Sequence, residues 1–116
     1  MDRREDRAKQ HSRALEIIAI QPEAFGFENT SDIALEITLP ENGRAITETD
    51  IKLVMANGDL YLVEFKLSSA NKYKRRARQQ LEKARGWYRR HMGIPPDKIY
   101  TRVIFRKDYA DFFKDL

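Results

Sequence analysis

Two charged residues stand inside an apolar run, Glu64 and Lys66 in Leu60-Tyr61-Leu62-Val63-Glu64-Phe65-Lys66-Leu67. An extended chain turns residues i and i+2 to one face, so both side chains leave the strand together. Burying a carboxylate or an ammonium costs several kcal/mol unless it is paired or bound to a metal, so charges at these positions need a reason. Asp50 opens the preceding run in Thr49-Asp50-Ile51-Lys52-Leu53. Two carboxylates one cross-strand pair apart repel each other and suit a divalent cation. A lysine beside them can position or deprotonate an attacking water and offset charge developing on a phosphate. The chemistry such a trio equips is phosphodiester hydrolysis. The competing reading is a structural ion pair, Glu64 with Lys66 or Asp50 with Lys52, at the end of a sheet.

Whether the carboxylates meet depends on hairpin register. A two-residue turn at Asn57-Gly58 would pair 56 with 59 and send Asp50 and Glu64 to opposite faces. A three-residue turn, Ala56-Asn57-Gly58 with Gly58 left-handed, pairs 55 with 59 and sets Asp50 opposite Glu64. The apolar pattern favours the second register. It gathers Ile51, Leu53, Met55, Tyr61, Val63, Phe65 and Leu67 on one face and leaves Asp50, Lys52, Val54, Leu60, Leu62, Glu64 and Lys66 on the other.

Immediately after this segment the charge becomes one-sided. Lys72, Lys74, Arg75, Arg76, Arg78, Lys83, Arg85, Arg89 and Arg90 face a single acid, Glu82, between 72 and 90. A helix that is basic only for solubility usually interleaves its signs, so this segment points to a phosphate-bearing partner. The net charge of +4 agrees in sign. With no cysteine, disulfides, thiolate zinc sites and cysteine nucleophiles are excluded. His11 and His91 read as two separate, solvated helix residues. Oxygen ligands are then the main option for a metal, which favours Mg²⁺ or Mn²⁺.

The elements that must position these groups can be read from periodicity. Residues 1–116 read as one domain, and the 41% apolar and 34% charged content is that of a globular protein. No run approaches the roughly 18 to 20 apolar residues of a membrane span. Met1 to Gln10 carries mixed charges and no apolar signal stretch, so the expected location is cytoplasmic. Ala14, Leu15, Ile18 and Ala19 recur at helical spacing within Arg4 to Ile20. Gln21 to Asp32 reads as a loop. Ile33 to Leu39 alternates with period two, and Ile46 to Met55 with Asp59 to Leu67 forms a hairpin. Lys72 to His91 is predicted helical, stopped at Gly93 and Pro95-Pro96. Lys98 to Arg106 reads as a fourth strand, and Asp108 to Leu116 as a short amphipathic helix.

This order, with Asp50, thirteen intervening residues and then Glu64-Phe65-Lys66, resembles the PD-(D/E)XK nuclease superfamily. Its members include restriction endonucleases, archaeal Holliday junction resolvases and RecB-type exonucleases. The resemblance spans the chain from the first helix to the fourth strand. It implies an α/β fold with a restriction endonuclease-like αβββαβ core, in which helices flank a central mixed four-stranded sheet. It implies Asp50 and Glu64 as metal ligands with the Phe65 carbonyl, and Lys66 as the catalytic lysine. Thr49 stands where the family name has proline.

Many members add an acid from the first helix, here Glu16, with Glu5, Glu28 and Glu36 as alternatives. Some place a glutamine and a tyrosine on the helix after the motif. Gln80, Ala84 and Tyr88 lie on one stripe, with Gln80 the residue expected to face the site and Trp87 and Tyr88 expected in the core. The implied activity is Mg²⁺-dependent DNA endonuclease cleavage, structure-selective or weakly sequence-specific, with Lys72, Lys74, Arg75, Arg76 and Arg78 gripping phosphates. Small members commonly act as homodimers, which leaves that assembly open. The alternative is a non-catalytic or partner-dependent nucleic-acid-binding module of the same fold.

Overall fold

The dipeptide Asn-Gly occurs twice, at 42–43 and at 57–58, and the two copies make different turns. A computed structural model describes residues 3–116; the first two residues of the expected domain, Met1 and Asp2, lie outside the described residues. Strand β1 (Thr30–Glu41) passes to β2 (Arg44–Met55) through the two-residue turn Asn42-Gly43, with Glu41 opposite Arg44. Both turn residues have positive φ (52° and 77°), as a turn matched to strand twist requires.

Strand β3 (Leu60–Lys66) follows β2 through the three-residue turn Ala56-Asn57-Gly58. The Met55 amide donates to the Asp59 carbonyl (2.8 Å) and the Gly58 amide to the Met55 carbonyl (2.9 Å). The register is therefore Leu53 opposite Tyr61 and Ile51 opposite Val63, the one the apolar alternation favours.

Helix α1 (Arg3–Ile20) precedes the sheet, and α2 (Asn71–Met92) joins β3 to β4 (Ile99–Phe105). The strand order is β1-β2-β3-β4, with the first two pairings antiparallel and β3 parallel to β4. The result is an α/β fold built on a mixed four-stranded sheet. A parallel neighbour requires a crossover, which α2 provides.

The two faces of the sheet carry separate cores. On one, Ile51, Leu53, Val63 and Phe65 pack with Ala14, Leu15 and Ile18 of α1 and with Phe25, Phe27 and Phe113. On the other, Leu60, Leu62, Leu39 and Ile99 pack with Leu81, Ala84 and Tyr88 of α2. The helix buries one stripe spaced four, three and four residues apart, Ala77, Leu81, Ala84 and Tyr88. Trp87 lies against the same cluster and donates its indole N–H to the Pro40 carbonyl at 2.7 Å. Glu41 accepts from Arg90 (2.8 Å) and contacts His91 (2.7 Å), so the far end of the β1–β2 ribbon is tied to the end of α2.

Several expectations are refined. The loop 21–32 contains a 3₁₀ turn, Pro22–Phe25, that buries Phe25, and β1 starts at Thr30. The tail is 3₁₀ helix over Arg106–Phe113, broken at Tyr109 (φ −135°, ψ 40°), not one amphipathic α-helix. Its rings determine the shape: Tyr109, Phe112 and Phe113 lie 4.7, 5.2 and 5.8 Å from Phe25, centre to centre. Arg102 braces this corner from β4, donating to the Phe25 carbonyl and the Tyr109 hydroxyl. No helix among the described residues is long and apolar enough to cross a membrane.

Gly58 has φ +92°, and a Cβ added there would meet nothing within 4 Å. Gly58→Ala is therefore expected to cost about 1–2 kcal/mol through backbone conformation alone, measurable as a lower urea midpoint with unchanged m-value.

Candidate active site at the open end of the central hairpin

The β2–β3 ladder ends at Ile51 and Val63, one position short of Asp50 and Glu64. Strand β2 continues for seven more residues, Asp50 back to Arg44, but with β1 as its only strand partner. At this fork the Asp50 side chain takes the place of a backbone acceptor, and its Oδ2 receives the Phe65 amide at 2.8 Å. The Phe65 ring lies in the core against Phe113, at 5.1 Å between ring centres. Asp50 and Glu64 are 7% and 2% exposed, and their carboxyl groups hydrogen-bond to each other.

Two adjacent carboxylates in so dry a place cannot both ionise cheaply. Burial pushes the Glu64 carboxyl up to about 9, and its hydrogen bond to Asp50 and the Asp50 charge add to that, against the pull of Lys66. Burial also acts to raise Asp50, but the His11 contact, the Glu64 hydrogen bond and the Phe65 amide outweigh it and hold Asp50 below the usual carboxylate range. Near neutral pH, without a cation, the pair holds one proton and one negative charge. Glu64 Oε1 and the hydroxyl of neighbouring Thr49 are buried with no hydrogen-bond partner.

Lys66 follows on the same face, and its Nζ donates to Gln80 Oε1 at 3.2 Å. Gln80 is half-buried on α2, one residue before the buried Leu81, so the helix stripe that packs the core also delivers this amide. Ala84 and Tyr88 are core residues on that stripe, as expected. Lys72, Arg75, Arg76 and Arg78 are exposed, and Lys74 is half-buried with its Nζ 5.8 Å from the Phe105 ring centre.

The α1 contribution comes from an unexpected residue. Glu16 is exposed, bordering a shallow depression with Ala8, Lys9, Ser12 and Arg13. His11 instead reaches Asp50, with Nε2 3.1 Å from Oδ2. That hydrogen bond raises the imidazole pKa above its ordinary value, against the opposing effect of burial. The spacing contained the signal: 11, 14, 15 and 18 form one helical stripe, so His11 sits one turn before Ala14, Leu15 and Ile18 on the inward face. His91 lies far from this site, on Glu41 and beside Trp87.

Among the other acids, Glu28 lies at the opposite end of the sheet, beside the β2–β3 turn, and Glu5 is in the first turn of α1. Glu36 occupies the β1 position level with Asp50, between the pairs Leu35–Ile51 and Ile37–Thr49. It leaves the ladder with φ +50°, a conformation costly for a side-chain-bearing residue, and accepts from the Ser12 hydroxyl at 3.1 Å. Beside it opens a cleft of about 580 Å³ lined by Arg7, His11, Phe65, Lys66, Ser68 and Tyr73, among others.

The donor set suits a hard divalent cation. Two carboxylates, one with a buried oxygen that has no hydrogen-bond partner, are the kind of donor that Mg²⁺ accepts, since it keeps several waters and uses one or two protein carboxylates. Among the described residues no group of three or more histidine, aspartate or glutamate side chains forms a fuller cage. No model of a known protein family and no curated protein sequence matches the chain.

A carboxyl held protonated by the fold, with a folded pKa near 9 against 4.5 when exposed, makes the native state bind a proton that the unfolded state has lost. Stability in EDTA should therefore fall as pH rises from about 5 to 9. The His11 contact acts in the same direction, because its raised pKa gives stability that is present below 6.5 and lost as pH climbs through the folded value. Melting curves should show a decline of several degrees across this range, and Glu64→Gln should leave only the smaller part due to His11; an unchanged slope in that variant would exclude Glu64 as the proton holder.

Proposed function

We propose that the chain is a metal-dependent nuclease of the restriction endonuclease-like, PD-(D/E)XK type, hydrolysing phosphodiester bonds in DNA with Mg²⁺. The observation that carries this reading is the convergence of Asp50, Glu64 and Lys66 at one fork of the sheet, with one carboxylate oxygen buried and unpartnered. The element order and the parallel fourth strand agree with the arrangement that the resemblance implies.

In this reading Asp50 and Glu64 would hold the cation, and by analogy with the family the Phe65 carbonyl would add a further oxygen. Bound there, Mg²⁺ supplies Lewis-acid stabilisation of the phosphate and a water of lowered pKa. Lys66, steadied by Gln80, orients the attacking water and offsets negative charge gathering on the phosphate. Asp50 is oriented in turn by the Phe65 amide and His11, and His11 is near enough to serve as an additional ligand from α1. The cations that open α2 provide the sequence-independent hold on the backbone. Homodimerisation would place two such sites on two strands.

A second reading, a binding module of the same fold without activity of its own, draws on the Asp50–His11 contact, which occupies an oxygen the cation would need.

The purified chain should cut at least one of plasmid, linear duplex or four-way junction DNA with Mg²⁺ or Mn²⁺ and none with EDTA. Glu64→Ala and Lys66→Ala should each lose about 100-fold or more, while still binding DNA. Binding without cleavage by the unaltered chain would favour the module. Each of Lys72→Ala and Arg76→Ala should lower the slope of log affinity against log salt by about 1.

A further inference from the structure

The aromatic rings of this chain are almost all accounted for by packing, and two are not. Among the described residues, Tyr73 and Phe105 lie outside both apolar clusters and make no ring–ring contact. Both adjoin Lys66: Phe105 is its β4 partner in the sheet register, and Tyr73 shares the cleft with it. Each ring is accompanied by cations from the start of α2. Lys72 Nζ lies 4.9 Å from the Tyr73 ring centre, the Arg76 guanidinium 5.9 Å from it, and Lys74 Nζ 5.8 Å from the Phe105 ring centre.

Half-buried aromatic faces interleaved with flexible cations are the equipment of grooves that bind single strands, where bases stack on rings and phosphates meet the charges. In a duplex the base faces are already stacked and unavailable. The cleft volume of about 580 Å³ is in the range of a site for one small ligand, and α1 and α2 both contribute to its lining. That space suits a nucleotide displaced from its stack and not a turn of paired helix. Arg7 and Ser68 line the same cleft and add a cation and a hydroxyl of the kind that meets phosphate oxygens.

We propose that Tyr73 stacks on an unpaired base next to the phosphate held at Lys66, so that the preferred substrate is single-stranded or locally unpaired nucleic acid. The proposal rests on the nuclease reading for what happens to that phosphate, but the stacking itself can be measured without cleavage.

The test uses a short oligonucleotide carrying 2-aminopurine, free or fully paired, titrated with the full chain and its variants in Ca²⁺. The free strand should be quenched on binding by the unaltered chain and by Tyr73→Phe. Tyr73→Ala should lose the quench and bind it about 5- to 100-fold more weakly, with less than about 2-fold change for the duplex. A Tyr73→Ala variant that quenches and binds the single strand like the unaltered chain overturns the proposal, as does tighter binding of duplex than of single strand by the unaltered chain. If the stacking result holds while no substrate is cut with Mg²⁺, only the nuclease reading falls. If metal-dependent cleavage persists while Tyr73→Ala changes neither affinity nor KM, only the stacking proposal falls.

Discussion

Two carboxyl groups side by side below the protein surface would, if both were ionised, repel each other with little solvent to relieve them. The arrangement around Asp50 and Glu64 answers that constraint. One group is kept charged by a backbone amide and a histidine, and the other is kept protonated by burial and by its neighbour. A cation bound there would have to displace the stored proton, so any metal affinity of the pair would rise with pH. Phe65 couples this to the fold, since its amide meets Asp50 and its ring packs in the α1-side core.

The rest of the molecule can be viewed as support for that fork. Strand β2 is held by β1 along most of its length, so Asp50 does not lose its position where β3 departs. The ribbon end is in turn fastened to α2 through Pro40 and Glu41. The same helix presents Gln80 to Lys66 from the turn next to its buried stripe. Packing on both faces thereby sets the distances among groups that come from four separate elements, α1, β2, β3 and α2.

Much of this was legible in the residues themselves. Period-two alternation through Ile51 to Phe65 admits only one register that keeps apolar side chains on one face, and that register brings Asp50 level with Glu64. The α2 stripe likewise placed Gln80 on the site side and Tyr88 in the core. His11 was harder to see because the first half of α1 has a single apolar residue, the exposed Ala8, so its inward stripe shows only from Ala14 onward. The left-handed Glu36 had no local signal, because it arises where β1 must follow β2 past the end of β3. The broken tail came from the demands of Phe25, a contact between segments far apart in the chain and invisible to periodicity.

The Phe65 amide is a backbone donor whose acceptor, Asp50, is a titratable side chain. Its proton therefore senses the charge of that carboxylate directly, while its ring senses the packing beneath. The chemical shift and the solvent-exchange rate of this one N–H would follow protonation of the fork as it occurs. The molecule thus carries its own spectroscopic reporter, at the point where the polar site and the hydrophobic interior share a residue.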